Sequence, residues 1–171
     1  MDIIRIFVRS VDRLSAIVGI AISGALPLMV CVLTIEVVAR YIFDRPTIWA
    51  FDTATFLFGY CGLLAGAYVH RCREHINVDL FYGRLSPRWQ AVLDTLTGLI
   101  FFFFIILVIT YGWKEAYPAL VSGERRPSEW APLVGHFKMV VPVGAFLLLL
   151  QGFANWLRSL YLAVTGKELT T

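Results

Sequence analysis

Charged side chains along this chain fall in clusters, and long stretches between the clusters carry none. Leu14 to Ile35 is uncharged over 22 residues, and Thr53 to Val69, Thr95 to Trp113 and Met139 to Leu157 over 17, 19 and 19. A helix needs about 20 mostly apolar residues to cross the hydrocarbon of a bilayer, with roughly 17 as the lower limit. The pattern therefore predicts four transmembrane helices, at about 14–35, 53–69, 95–113 and 139–157, within one four-helix membrane domain over 1–171. A membrane barrel would alternate apolar and polar positions, and these runs do not.

The interruptions refine the elements. Between Leu14 and Phe43 only Pro27 opposes a helix, so a kink is expected there. A helix from Val11 to Phe43 would be about 50 Å long and must tilt or project from the bilayer. Asp44-Arg45-Pro46 is the first clear stop. Ser86-Pro87 reads as an N-cap followed by proline in the first turn, which leaves Arg71 to Leu85 as a connection. Pro118, Gly123, Pro127 and Pro132 predict that the polar stretch from Lys114 to Lys138 is no continuous helix. Ahead of the first span, Arg5, Arg9 and Arg13 recur every fourth residue opposite Ile3, Ile4, Phe7, Val8 and Val11. That pattern predicts an amphipathic surface helix leading into an uncleaved signal anchor.

Composition agrees with a polytopic, all-α membrane fold. The chain is 58% hydrophobic and 16% charged, against roughly 25% charged in ordinary soluble domains. Its mean hydropathy is +0.73. So many apolar side chains cannot be hidden inside a globule of 171 residues, which excludes disorder and argues against a soluble enzyme. A net charge of +3 is too small to suggest nucleic acid. Nine of the 15 Lys and Arg residues lie on the side of the two termini and six on the other, which favours both termini in the cytoplasm. Trp49, Trp89 and Trp113 suit interfacial belts.

Candidate chemistry is sparse. Cys31, Cys61 and Cys72 form no CxxC pair, and His70, His75 and His136 lie near span ends, where they cannot face each other across a haem. Glu36, Asp52 and Asp94 also lie at span ends, so no acid sits mid-membrane to mark an ion path. The interior polar residues are mainly Ser23, Thr34, Thr110, Gln151 and Asn155. No catalytic residue, cofactor or metal site is expected. Large apolar faces without transport chemistry point to an accessory subunit held against a bigger membrane partner. The alternatives are a small homo-oligomeric channel, which would need a polar stripe down one helix, and a haem or quinone membrane enzyme.

Several motifs occur in a telling order. Glu36-Val37-Val38-Ala39-Arg40-Tyr41 closes the first helix, and Pro46 and Trp49 follow. Gly62-Leu63-Leu64-Ala65-Gly66-Ala67-Tyr68 precedes Arg73-Glu74-His75-Ile76-Asn77-Val78-Asp79-Leu80. Ser128-Glu129-Trp130, Val141-Pro142-Val143-Gly144 and Leu150-Gln151-Gly152 complete the set. From about Leu14 to Leu157 the chain resembles the small permease subunit of tripartite ATP-independent periplasmic (TRAP) transporters, the DctQ-like family. It departs in carrying Asp52 where the family often has Glu after the loop Trp.

The resemblance implies uptake of organic acids across a bacterial inner membrane, driven by sodium or another cation. A periplasmic protein captures the substrate, a large multispanning subunit moves it, and the small subunit scaffolds the large one. Candidate contacts with the large subunit are Glu36, Arg40, Tyr41, Trp49, Asp52, His75 and Asp79. Glu36 and Arg40 have the spacing of a helical ion pair, and His75 and Asp79 the spacing to brace the loop they lie in. Candidate docking residues for the periplasmic protein are Glu124, Arg125, Arg126 and Glu129, and Arg71, Arg73, Arg84 and Arg88 are expected at lipid headgroups.

Overall fold

The computed structural model of the chain describes residues 2–72 and 87–165. Five α-helices account for most of them: α1 (Asp2–Ser23), α2 (Ala25–Tyr41), α3 (Ala50–Arg71), α4 (Pro87–Val121) and α5 (Gly135–Thr165). The only β feature among the described residues is an isolated bridge between Arg125 and Leu133. Among the described residues four stretches are long and apolar enough to cross a membrane: Ile4–Tyr41, Ala50–Arg71, Val92–Val121 and Gly135–Thr165. Each contains one of the four uncharged runs. The chain is an all-α, polytopic membrane protein.

The first span is two helices in series. The break falls at Gly24, between α1 and α2. It lies one turn before Pro27, whose ring crowds the carbonyl of Ser23 and whose nitrogen offers it no hydrogen bond. The span Ile4–Tyr41 covers 38 residues, about 57 Å, nearly twice the hydrocarbon thickness. The third span corrects the sequence reading in another way. Pro118 lies inside α4, which runs on to Val121, and α5 begins at Gly135. The loop between them is therefore 122–134, about half the expected stretch. A proline removes one backbone bond near the end of a 35-residue helix, and the packing of Ala116 and Ala119 holds the last turn in place.

The spans pack in the order α2, α3, α5, α4, with α5 against α4 as the largest contact. No extensive contact joins α2 to α4 or α3 to α4 among the described residues, so the helices form an open array. Close approaches fix the array. A Cβ on Gly144 would stand 2.7 Å from the carbonyl oxygen of Leu63, so only glycine lets α5 lie this near α3. Aromatic side chains fill the wider gaps. Phe101 stacks on His70 with centroids 5.3 Å apart, while Phe102 meets Phe153 and Trp156 at 6.2 and 6.0 Å. Phe103 and Phe104 of the same run point outward.

At the far end of α5, α1 crosses over the array. Val8 and Val11 bury against Ala154, and Phe7 meets Phe153 edge-on at 6.0 Å. Gly19 lies against Tyr68 of α3. Arg5, Arg9 and Arg13 stay exposed, as the amphipathic pattern requires. Ser23, Thr34 and Thr110 return their hydroxyls to the carbonyls of Ile20, Val30 and Leu107, satisfied within their own helices.

Candidate functional site

Among the described residues three polar knots join the elements, and several of the candidate residues belong to the first two. The first closes the end of α2. Glu36 is buried, and its carboxylate accepts hydrogen bonds from the Arg40 guanidinium, from the Thr47 hydroxyl and, at 2.9 Å, from the Thr47 amide. The i, i+4 pair expected from the sequence is present, and the same carboxylate ties down the turn that follows. That turn contains Asp44 at φ 52°, a left-handed position that a short polar residue tolerates. The Arg45 amide donates to the Ala39 carbonyl at 2.9 Å and ends the helix. Arg40 remains half-exposed, and Tyr41, Ile42 and Phe43 stand out beyond it. Trp49 is exposed at the entrance to α3.

The second knot holds the loop 122–134 on the start of α3. Asp52 is 2% exposed. It accepts a hydrogen bond from the Ser128 hydroxyl and pairs with Arg126 at 3.3 Å. The Arg126 guanidinium also lies over the Phe51 ring, 5.8 Å from its centroid. Within the loop, the Arg126 amide donates to the Pro132 carbonyl and the Val134 amide to the Glu124 carbonyl, both at 2.9 Å. Gly123 supplies the positive φ of 65° that turns the chain out of α4. Glu124 pairs with Lys138 at 2.6 Å, and Arg125 donates to the Ala131 carbonyl at 3.0 Å. The result is a braced platform that presents Arg125, Glu129 and Trp130 to solvent.

The third knot fastens α1 to α5 and was not foreseen. Gln151 is fully buried; it accepts from the Ser15 hydroxyl at 2.7 Å and donates to Asp12 at 2.9 Å. Arg158 pairs with Asp12 and donates to Asn155 at 2.9 Å. Asn155 in turn donates to the His70 carbonyl at 2.8 Å, so the knot reaches α3. The sequence held a signal for it: Gln151, Asn155 and Arg158 share one helical face, and Asp12 breaks the basic edge of α1.

Four of the named positions, Arg73, His75, Asp79 and Arg84, lie outside the described residues. Arg88 falls in the first turn of α4. Arg71 lies at the end of α3, 6.0 Å from the centroid of the Tyr68 ring. Thus Glu36, Asp52 and Arg126 work inside the chain, whereas Arg40, Tyr41, Trp49, Arg125 and Glu129 face outward. Cys31, Cys61 and Cys72 are free thiols, and that of Cys61 approaches the Ile22 carbonyl at 3.6 Å.

Comparison with known proteins decides the family. Residues 29–161 match the DctQ component of the tripartite ATP-independent periplasmic transporters. The chain belongs to the DctQ family. One curated relative, the sialic acid TRAP transporter permease protein SiaT of Haemophilus influenzae (strain 86-028NP), is 28% identical over 81 residues. That stretch is 47% of this chain and 13% of the relative, so the chain spans a small part of the relative's length. As a DctQ protein the chain is a multi-pass membrane component of a transporter and not an enzyme.

Proposed function

We propose that this chain is the scaffold of a TRAP importer of organic acids, chiefly carboxylates, with uptake driven by sodium or another cation. In this reading it lies in a bacterial inner membrane with both termini in the cytoplasm. Its helices hold a large multispanning permease subunit in place, and the loop 122–134 docks a periplasmic substrate-binding protein. The observation that carries the reading is how the polar side chains are spent. Glu36, Asp52, Gln151 and Arg158 close the chain on itself, while Val30, Ile35, Phe58, Phe103 and Phe104 cover the open array with exposed apolar surface. Lipid or a partner must cover that surface, and among the described residues no polar stripe crosses it for a solute to follow. An acid as the substrate is in keeping with the sialic acid named for the relative.

Transport assays test this directly. Cells lacking the chain are expected to lose uptake of a labelled carboxylate drawn from a panel, and liposomes holding the purified chain alone to move none. Solute flux through the chain alone would replace the scaffold with a channel.

A further inference from the structure

The N-terminal half of α1 crosses α5 instead of running along it. Ser15 and Phe7, about 12 Å apart along α1, meet Gln151 and Phe153, about 3 Å apart along α5. We propose that this crossing segment lies in the plane of the membrane boundary, where Arg5, Arg9 and Arg13 bind the phosphates of anionic phospholipids of the phosphatidylglycerol type. The assignment goes beyond the transporter reading.

Level comes first. Asp12 reaches Arg158, just past the uncharged run that ends at Leu157. Val8 and Val11 bury on Ala154, inside that run. The segment therefore sits where hydrocarbon gives way to headgroups. The length of the first span agrees, since 38 residues are far more than an upright crossing needs.

The order of side chains around the helix comes second. At about 100° per residue, Arg5, Arg9 and Arg13 sweep an arc of about 80°. Ile6, Ile17 and Leu14 sweep the next arc, also of about 80°. All six are exposed. The basic arc adjoins Asp12, which reaches outward to Arg158. The aliphatic arc adjoins Phe7, which meets Phe153 within the apolar run. Cations thus lie on the headgroup side of the helix and aliphatic side chains on the acyl side.

Charge selects the occupant. Asp12 is spent on Arg158 and Gln151, and among the described residues no ion pair joins the three arginines to an acid. A guanidinium presents paired N–H donors that fit a phosphate. Zwitterionic heads bring their own cations, whereas an anionic leaflet gains about fivefold in affinity for each arginine held near it. A soluble acidic partner would pair the arginines and leave Ile6, Leu14 and Ile17 without apolar cover.

The test is photolabelling of the full chain in native membranes. The probes are phosphatidylglycerol and phosphatidylcholine, each with a diazirine near the glycerol end of one acyl chain, and labelled peptides are read by mass spectrometry. Labelling of residues 5–17 is expected to favour the phosphatidylglycerol probe about fivefold, the worth of one arginine near the lipid. Arg5→Gln, Arg9→Gln and Arg13→Gln together are expected to bring that ratio close to one while labelling of α4 stays unchanged. Should the triple variant fail to insert, raising the salt on wild-type membranes decides, because screening is expected to lower the same ratio. Equal labelling of residues 5–17 by the two probes overturns the proposal. So does a preference that survives the triple substitution or high salt, or protection of the segment by a partner protein.

Discussion

Glu36 accepts hydrogen bonds from Arg40 and from two groups of Thr47, so its carboxylate is a junction between α2 and the turn beyond it. Glu36→Ala is expected to lower the melting temperature in detergent, followed by tryptophan fluorescence, and to weaken assembly without unfolding the chain. Arg40→Ala is expected to do the same more mildly, because its side chain is half in solvent. Wild-type melting and wild-type complex yield in both variants would contradict this. Asp52 gives a sharper contrast. Arg126→Ala leaves its buried carboxylate without a counter-charge and is expected to cost about 2 kcal/mol, with faster amide exchange at Arg126 and Val134. Arg125→Ala removes an exposed side chain and should cost under about 0.5 kcal/mol. The sequence made the Glu36–Arg40 pair legible, because helical spacing alone brings the two together. It could not show that Asp52 is buried under Ser128 and Arg126, since those residues lie 76 and 74 positions away and meet only through the fold.

The helices were legible where the membrane dictates composition and less so where it does not. Uncharged runs fix the spans, since hydrocarbon excludes ionised side chains. Beyond the bilayer that pressure ends, so α4 carries Lys114 and Glu115 and continues through Pro118 with nothing in its composition to mark the end. The break at Gly24 was signalled by Pro27. Packing between helices rests on small residues whose role the pattern does not reveal. Gly144→Val is expected to force α5 off the Leu63 backbone and cost about 2–3 kcal/mol, read as a lower melting temperature. Gln151→Leu should cost about 2 kcal/mol by leaving Ser15 and Asp12 short of a buried partner, and should expose the start of α1 to proteolysis while α2 to α5 stay helical.

At the scale of the whole molecule the polar knots and the apolar faces have opposite purposes. The knots Asp12–Arg158–Gln151 and Asp52–Arg126–Ser128 join distant parts of the chain and give the open array a fixed shape. The faces between them carry large exposed side chains on every span, which suits a protein completed by a partner. Membership in the DctQ family accords with that division, and the order of short motifs made the family legible before any geometry was known. The most direct test of the scaffold reading is to tag the chain, recover it from its own membranes in mild detergent and identify what comes with it by mass spectrometry. The account predicts one large multispanning protein in equal amount. Recovery of the chain alone, or only with copies of itself, across several gentle detergents would contradict it.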